Sequence, residues 1–186
     1  MKFKIGIPET DGEFKKNNPE CIFIKNIKNL MIPGIILGLT LTLFLEFLIR
    51  LYILDKNFSF YSYKKLHLFL MILTLHEIVH LIYFPSIKNC IVGISFKKLI
   101  FYVTTKDYFT KTRLIIVLLA PLFFLTIAPL FLLFFIKSSL LAYIALFNLI
   151  GSGVDILSLI QVLKLPKNHI IMFNGPALYI KPEFQE

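Results

Sequence analysis

Four apolar stretches, each about the length of a bilayer, constrain this chain more than any other feature. They run from Met31 to about Leu54, from Leu66 to Phe84, from about Leu114 to Ile136 and from Leu140 to about Leu165. A spanning helix needs about 20 predominantly apolar residues to cross roughly 30 Å of hydrocarbon at about 1.5 Å rise per residue. All four stretches reach that length. Prolines punctuate them: Pro33 falls near the first turn of the first, where a missing N–H costs nothing, and Pro85 and Pro166 close the second and fourth. Pro121 and Pro129 lie inside the third and predict kinks there. With 57% hydrophobic and only 17% charged residues, the chain departs from the roughly 45–50% and about 25% of soluble domains. A soluble globular enzyme, a disordered chain and a coiled-coil rod are excluded. The expected fold is an all-α membrane protein, a four-helix transmembrane bundle.

Charge orients the bundle. Fifteen of the 20 Lys and Arg residues lie in the N-terminal segment, in the stretch between spans two and three, and in the tail. The other side holds Arg50, Lys56, Lys64, Lys65 and Lys137. The positive-inside rule then puts both termini in the cytoplasm, which requires an even number of spans. The net charge of +9 comes from residues flanking apolar runs, so the expected partner is a lipid bilayer and no nucleic acid. Three regions follow: a cytoplasmic segment over 1–30, a transmembrane domain over 31–165 and a cytoplasmic tail over 166–186. The first thirty residues are polar and charged, so no secretory signal peptide is expected. Cys90 to Phe96 and Leu99 to Thr105 are β-rich around Lys97-Lys98 and predict a small hairpin insertion between spans two and three. Ile170–Phe173 and Ala177–Ile180, around Asn174-Gly175, suggest a second strand pair, against which Pro176 counts. The spacing of Cys21 and Cys90 indicates neither a disulfide nor a thiolate metal site.

The second span reads His76-Glu77-Ile78-Val79-His80, an HExxH motif. Positions four apart stand one turn above each other, so both imidazoles can reach a single metal ion. Glu77 lies about 100° around the helix, close enough to act on a water at that ion. Ionisable side chains inside a span are costly and point to function; the bland alternative is a polar cluster that ties helices together. A hydrolytic zinc site commonly has three protein ligands. The metzincin pattern would place a third His at position 86, which is Ser86, and a glycine at Tyr83, so it is excluded.

The third ligand is sought in the fourth span, where Asn148, Ser152 and Asp155 fall on one helical face beside Gly151 and Gly153. His76 lies eight residues before Phe84 and Asp155 eight before Leu163, so both sit about 12 Å from the same boundary. One dication would also balance the two carboxylates of Glu77 and Asp155. His76, His80 and Asp155 are therefore the candidate metal ligands and Glu77 the candidate catalytic base. Asn148 and Ser152 are candidates for contacting substrate or supporting the ligands. Glu46 and Arg50 read as a snorkelling i, i+4 pair, His67 lies at the far end of span two, and His169 reads as a solvated surface residue of the tail.

An HExxH in one membrane helix and an Asn…Ser-Gly-x-Asp stretch in a later one resemble the family of small bacterial membrane proteins described as "putative zincin peptidase". The resemblance covers about Leu66 to Leu165 and rests on His76, Glu77, His80, Asn148, Ser152, Gly153 and Asp155. It is similar, more distantly, to site-2 proteases, which typically carry Asn-x-x-Pro where this chain has Asn148-Leu149-Ile150-Gly151. The resemblance implies a zinc metallopeptidase that hydrolyses membrane-associated protein or peptide substrates by Glu-assisted attack of a zinc-bound water. Two other classes stay open: a catalytically inactive metal-binding scaffold, and a metal or solute transporter, for which the lack of a detectable internal repeat is unfavourable.

Overall fold

The computed structural model describes residues 2–6, 10–53, 66–95 and 100–182. The chain opens with β1 (Lys2–Ile5), a single turn α1 (Phe14–Asn17) and β2 (Ile22–Asn26), then enters the long helix α2 (Lys28–Tyr52). Helix α3 (Leu66–Tyr83) leads through a 3-10 turn to β3 (Cys90–Ser95), β4 (Ile100–Thr105) and the two-residue β5 (Phe109–Thr110). The third long helix is α4 (Lys111–Leu122) continued by a π-helical turn (Phe123–Ile127) and α5 (Ala128–Leu133). Helix α6 (Ser139–Leu163) and the hairpin β6 (His169–Asn174) and β7 (Ala177–Pro182) complete the fold.

Among the described residues, four helices are long and apolar enough to cross a membrane: Lys28–Tyr52, Leu66–Tyr83, Lys111–Leu133 and Ser139–Leu163. At most 50% of any of their apolar windows is buried inside the chain. Phe44, Phe47, Phe131, Phe134 and Phe135 all point outward, leaving an apolar surface far larger than water-soluble monomers carry.

The all-α expectation is overturned, because among the described residues seven strands form two sheets. One sheet has the order β1-β3-β4, with β1 parallel to β3 and β3 antiparallel to β4. The other has the order β2-β7-β6-β5, with every neighbouring pair antiparallel. The anticipated hairpin over 90–105 is present as β3 and β4, while Phe96 to Leu99, including Lys97-Lys98, lies outside the described residues. What local pattern could not reveal is the role of the first thirty residues. Lys2-Phe3-Lys4-Ile5 is too short to read as a strand, and it pairs with Ile91–Ile94 far along the chain. Likewise β2 is fixed only by its partner β7 near the other end. In the tail hairpin Gly175 takes a positive φ of 56°, as a tight turn requires. Pro176 occupies the turn, where no ladder N–H is needed, and its carbonyl accepts the Ile27 N–H at 2.8 Å.

That bond and a second from Lys28 N–H to Asn26 Oδ1 (3.0 Å) hold the start of α2. The helix therefore begins before Met31, and Pro33 lies inside it, not in its first turn. Along α2 the buried positions Gly34, Gly38, Thr42 and Glu46 recur every four residues, the spacing of one helical ridge. The small residues let α2 and α6 approach at backbone distance, and Thr42 Oγ1 donates to the Leu146 carbonyl at 3.2 Å. Glu46 continues this stripe inward: it is only 4% exposed and pairs with Arg50. The expected i, i+4 pair is thus present, with its carboxylate on the inward stripe and the Arg50 side chain partly exposed. Of the lysines assigned to the opposite side, Lys56, Lys64 and Lys65 lie outside the described residues.

The first turn of α4 staples the two helices that carry the candidate ligands. Arg113 donates to the Tyr83 and Phe84 carbonyls (3.1 and 3.0 Å) at the end of α3. Lys111 donates to the Leu163 and Leu165 carbonyls (2.7 and 2.5 Å) at the end of α6. Helix C-termini present unpaired carbonyls and partial negative charge, so a cation there satisfies both. Residues counted in the sequence only as surface charge thus fix the depth of α3 against α6.

Candidate metal centre

On α3 the one-turn spacing of His76 and His80 brings the two imidazoles together edge to face, 4.7 Å between centroids, and both are buried. Asp155 reaches them from α6: its Oδ2 lies 3.0 Å from His76 Nε2 and 3.3 Å from His80 Nε2. The two Nε2 atoms are themselves 3.1 Å apart. Among the described residues these three form the one group whose ligand atoms, all within 4.8 Å of one another, could hold a metal. His67 is exposed at the start of α3, and His169 sits on β6 outside the group.

Hydrogen bonds on the far side of each ring fix the tautomers. His80 Nδ1 lies 2.9 Å from the Val117 carbonyl, which can only accept, so Nδ1 carries the proton. His76 Nδ1 lies 2.9 Å from Asn148 Oδ1. The Asn148 amide is oriented by its other end, because Nδ2 donates to the Pro121 carbonyl at 3.0 Å. Its Oδ1 is therefore the acceptor, and His76 also carries its proton on Nδ1. Both Nε2 lone pairs then face each other and a carboxylate oxygen. Asp155 Oδ2 is buried and receives no well-formed hydrogen bond. Three electron pairs converging on one small volume repel unless a cation is shared among them. Two nitrogens and one oxygen, with the outer ring nitrogens held, are also the donor set zinc takes in hydrolytic sites. The residues fit that ion.

Asn148 and Ser152 are both 0% exposed and stand behind His76. Asn148 Nδ2 also approaches Thr126 Oγ1 (2.9 Å) and Ser152 Oγ (3.1 Å), and Thr126 Oγ1 donates to the Ala145 carbonyl at 3.3 Å. Asn148 contacts His76 and Ser152, and neither Asn148 nor Ser152 lines the cavity onto which His76, His80 and Asp155 open. Sequence reasoning missed Thr126, which lies in the π-helical turn where Ala128 N–H bonds to Phe123 O. It also missed Val117, whose contribution is a backbone carbonyl.

Glu77 turns away from the triad's rear support and lines a cavity of about 550 Å³ together with His76, His80, Asp155 and β4. Val103 of β4 lines the same cavity. Lys25 and Lys28 also line it. Both cysteines are free and buried, and burial pushes each thiol up from its ordinary value. Neither belongs to the clustered group of candidate ligands.

The sequence model of the family described as "Putative zincin peptidase" matches residues 69–170, more than half of the 186. The chain belongs to that family. The matched region of this zincin-family chain runs from within α3 to the start of β6, and so contains every member of the triad and its supports. No curated protein and no solved structure matches the chain.

Proposed function

We propose that this member of the zincin peptidase family is a membrane-embedded zinc metallopeptidase of the HExxH type, with His76, His80 and Asp155 as ligands and Glu77 as general base. The observation that carries the proposal is the convergence of three lone-pair donors from two helices, with the outer nitrogen of each histidine already committed. Zinc bound there would supply Lewis acidity and an acidified water. Glu77, on the cavity side, takes a proton from the attacking water and returns it to the leaving amine. Asn148 and the Val117 carbonyl keep both imidazoles in one tautomer and one orientation throughout. The mostly apolar walls reduce competing water and strengthen each charge interaction.

In this reading the four apolar helices cross the bilayer with both termini in the cytoplasm. The substrate is a membrane-associated protein or peptide. A helix hides its peptide groups, so the scissile segment must be extended when it meets Glu77. Strand β4 supports that requirement, since it is the edge of its sheet and lines the cavity. An extended segment laid along it would gain backbone hydrogen bonds.

The full chain in lipid nanodiscs should cleave apolar membrane-derived peptides. Chelation should abolish cleavage, and stoichiometric zinc should restore it. Cleavage that survives complete zinc removal would overturn the assignment.

A further inference from the structure

One carbonyl at the site is available because of a proline four residues away. In an α-helix the carbonyl of residue i accepts the N–H of residue i+4. For Val117 that residue is Pro121, which has no N–H. Pro121 lies within α4 and is buried. The Val117 oxygen is thus left without its helical partner, and His80 Nδ1 occupies it at 2.9 Å. The Pro121 carbonyl accepts from Asn148 Nδ2, the amide whose oxygen holds His76. One residue therefore touches the supports of both histidines, through its missing donor on one side and its acceptor on the other.

We infer that Pro121 is a positioning residue for the metal centre, acting by withholding an N–H from the Val117 carbonyl so that this oxygen fixes the His80 tautomer. The inference rests on the metallopeptidase reading only for its consequence; the hydrogen bond itself needs no metal. A carbonyl already held by a helical N–H points along the helix axis and is a poorer second acceptor. An alanine at 121 would supply that competing donor. His80 would then divide between Nδ1–H and Nε2–H forms, and the second form cannot ligate through Nε2. The kink that proline imposes is a separate effect, and the two can be taken apart chemically. The α-hydroxy acid lactate, placed at position 121 by nonsense suppression, has alanine's shape but no N–H.

The test compares the full chain, Pro121→Ala and Pro121→lactate in the same micelles. The first readout is the tautomer of His80 by ¹⁵N-histidine NMR on zinc-free protein, at a pH alkaline enough that no proton bridges the two rings and Asp155. The second is zinc affinity by competition with a chelating dye. The wild-type chain and Pro121→lactate should show His80 protonated on Nδ1, and Pro121→Ala a mixture. Zinc should bind Pro121→Ala about 10–100-fold more weakly than wild type, the usual range for losing a ligand's outer partner, with lactate close to wild type. An alanine variant that matches wild type in both readouts overturns the inference. So does a lactate variant as impaired as alanine, because the ring and not the missing N–H would then be responsible. A tautomer contrast without zinc binding in any of the three chains would support the inference and sink the metallopeptidase reading.

Discussion

Glu77→Gln is expected to leave zinc bound and to lower kcat by about 10²–10⁴-fold, the range for removing a general acid–base group. Glutamine has the size and shape of glutamate, and Glu77 is not one of the three clustered ligand residues. The metal affinity and the fold should therefore be unchanged. The lost function is proton transfer: an amide can neither take the proton of the attacking water nor deliver one to the leaving amine. KM should move little, because the cavity walls that receive the substrate are intact. Single-turnover cleavage of one peptide, measured beside bound zinc, separates the outcomes. Wild-type turnover by Glu77→Gln would remove Glu77 from the mechanism, and loss of zinc would make it a ligand.

Gly153→Ala is the second substitution with a large expected effect, and it works through backbone packing. A Cβ at position 153 would overlap the Gly34 carbonyl oxygen and stand 2.7 Å from the Gly38 nitrogen. Those atoms belong to α2 and cannot rotate aside, so α2 and α6 must separate. Overpacking of this kind costs about 1–3 kcal/mol, and the strain falls two residues from Asp155. The expected result is a lower unfolding temperature together with reduced zinc occupancy. Gly151→Ala is the matched control: a Cβ there meets the flexible Leu73 side chain at 3.3 Å and His76 Nδ1 at 3.6 Å. It should keep its zinc. Thermal unfolding and metal analysis of the two variants check the contrast; equal behaviour would mean that the close α2–α6 approach does not position Asp155.

The four long helices were legible in the sequence because a bilayer-length apolar run is a local signal, and their ends differ from expectation by a few residues. Asp155 was legible for a different reason. Its depth below the helix end equals that of His76, and the structure brings the two within 3.0 Å. The hairpins β3–β4 and β6–β7 were legible as paired β-rich runs, but the full sheets were not, because β1 and β2 are short and are defined by partners far along the sequence. The Glu46–Arg50 pair was legible from its i, i+4 spacing, but the face it occupies was not; only the buried stripe from Gly34 to Ile49 decides it. Backbone groups leave no side-chain signature either. Val117 was invisible, although Pro121 four residues later, beside a helix with two histidines, is a signal that could have pointed to it.

X-ray absorption at the zinc edge, on the full chain purified in lipid, tests the core of the account most directly. It predicts one zinc per chain with only nitrogen and oxygen neighbours at about 2.0–2.1 Å, two of them imidazoles, and no such centre in Asp155→Ala. A sulfur shell, a single imidazole, or an unchanged spectrum in Asp155→Ala would contradict it.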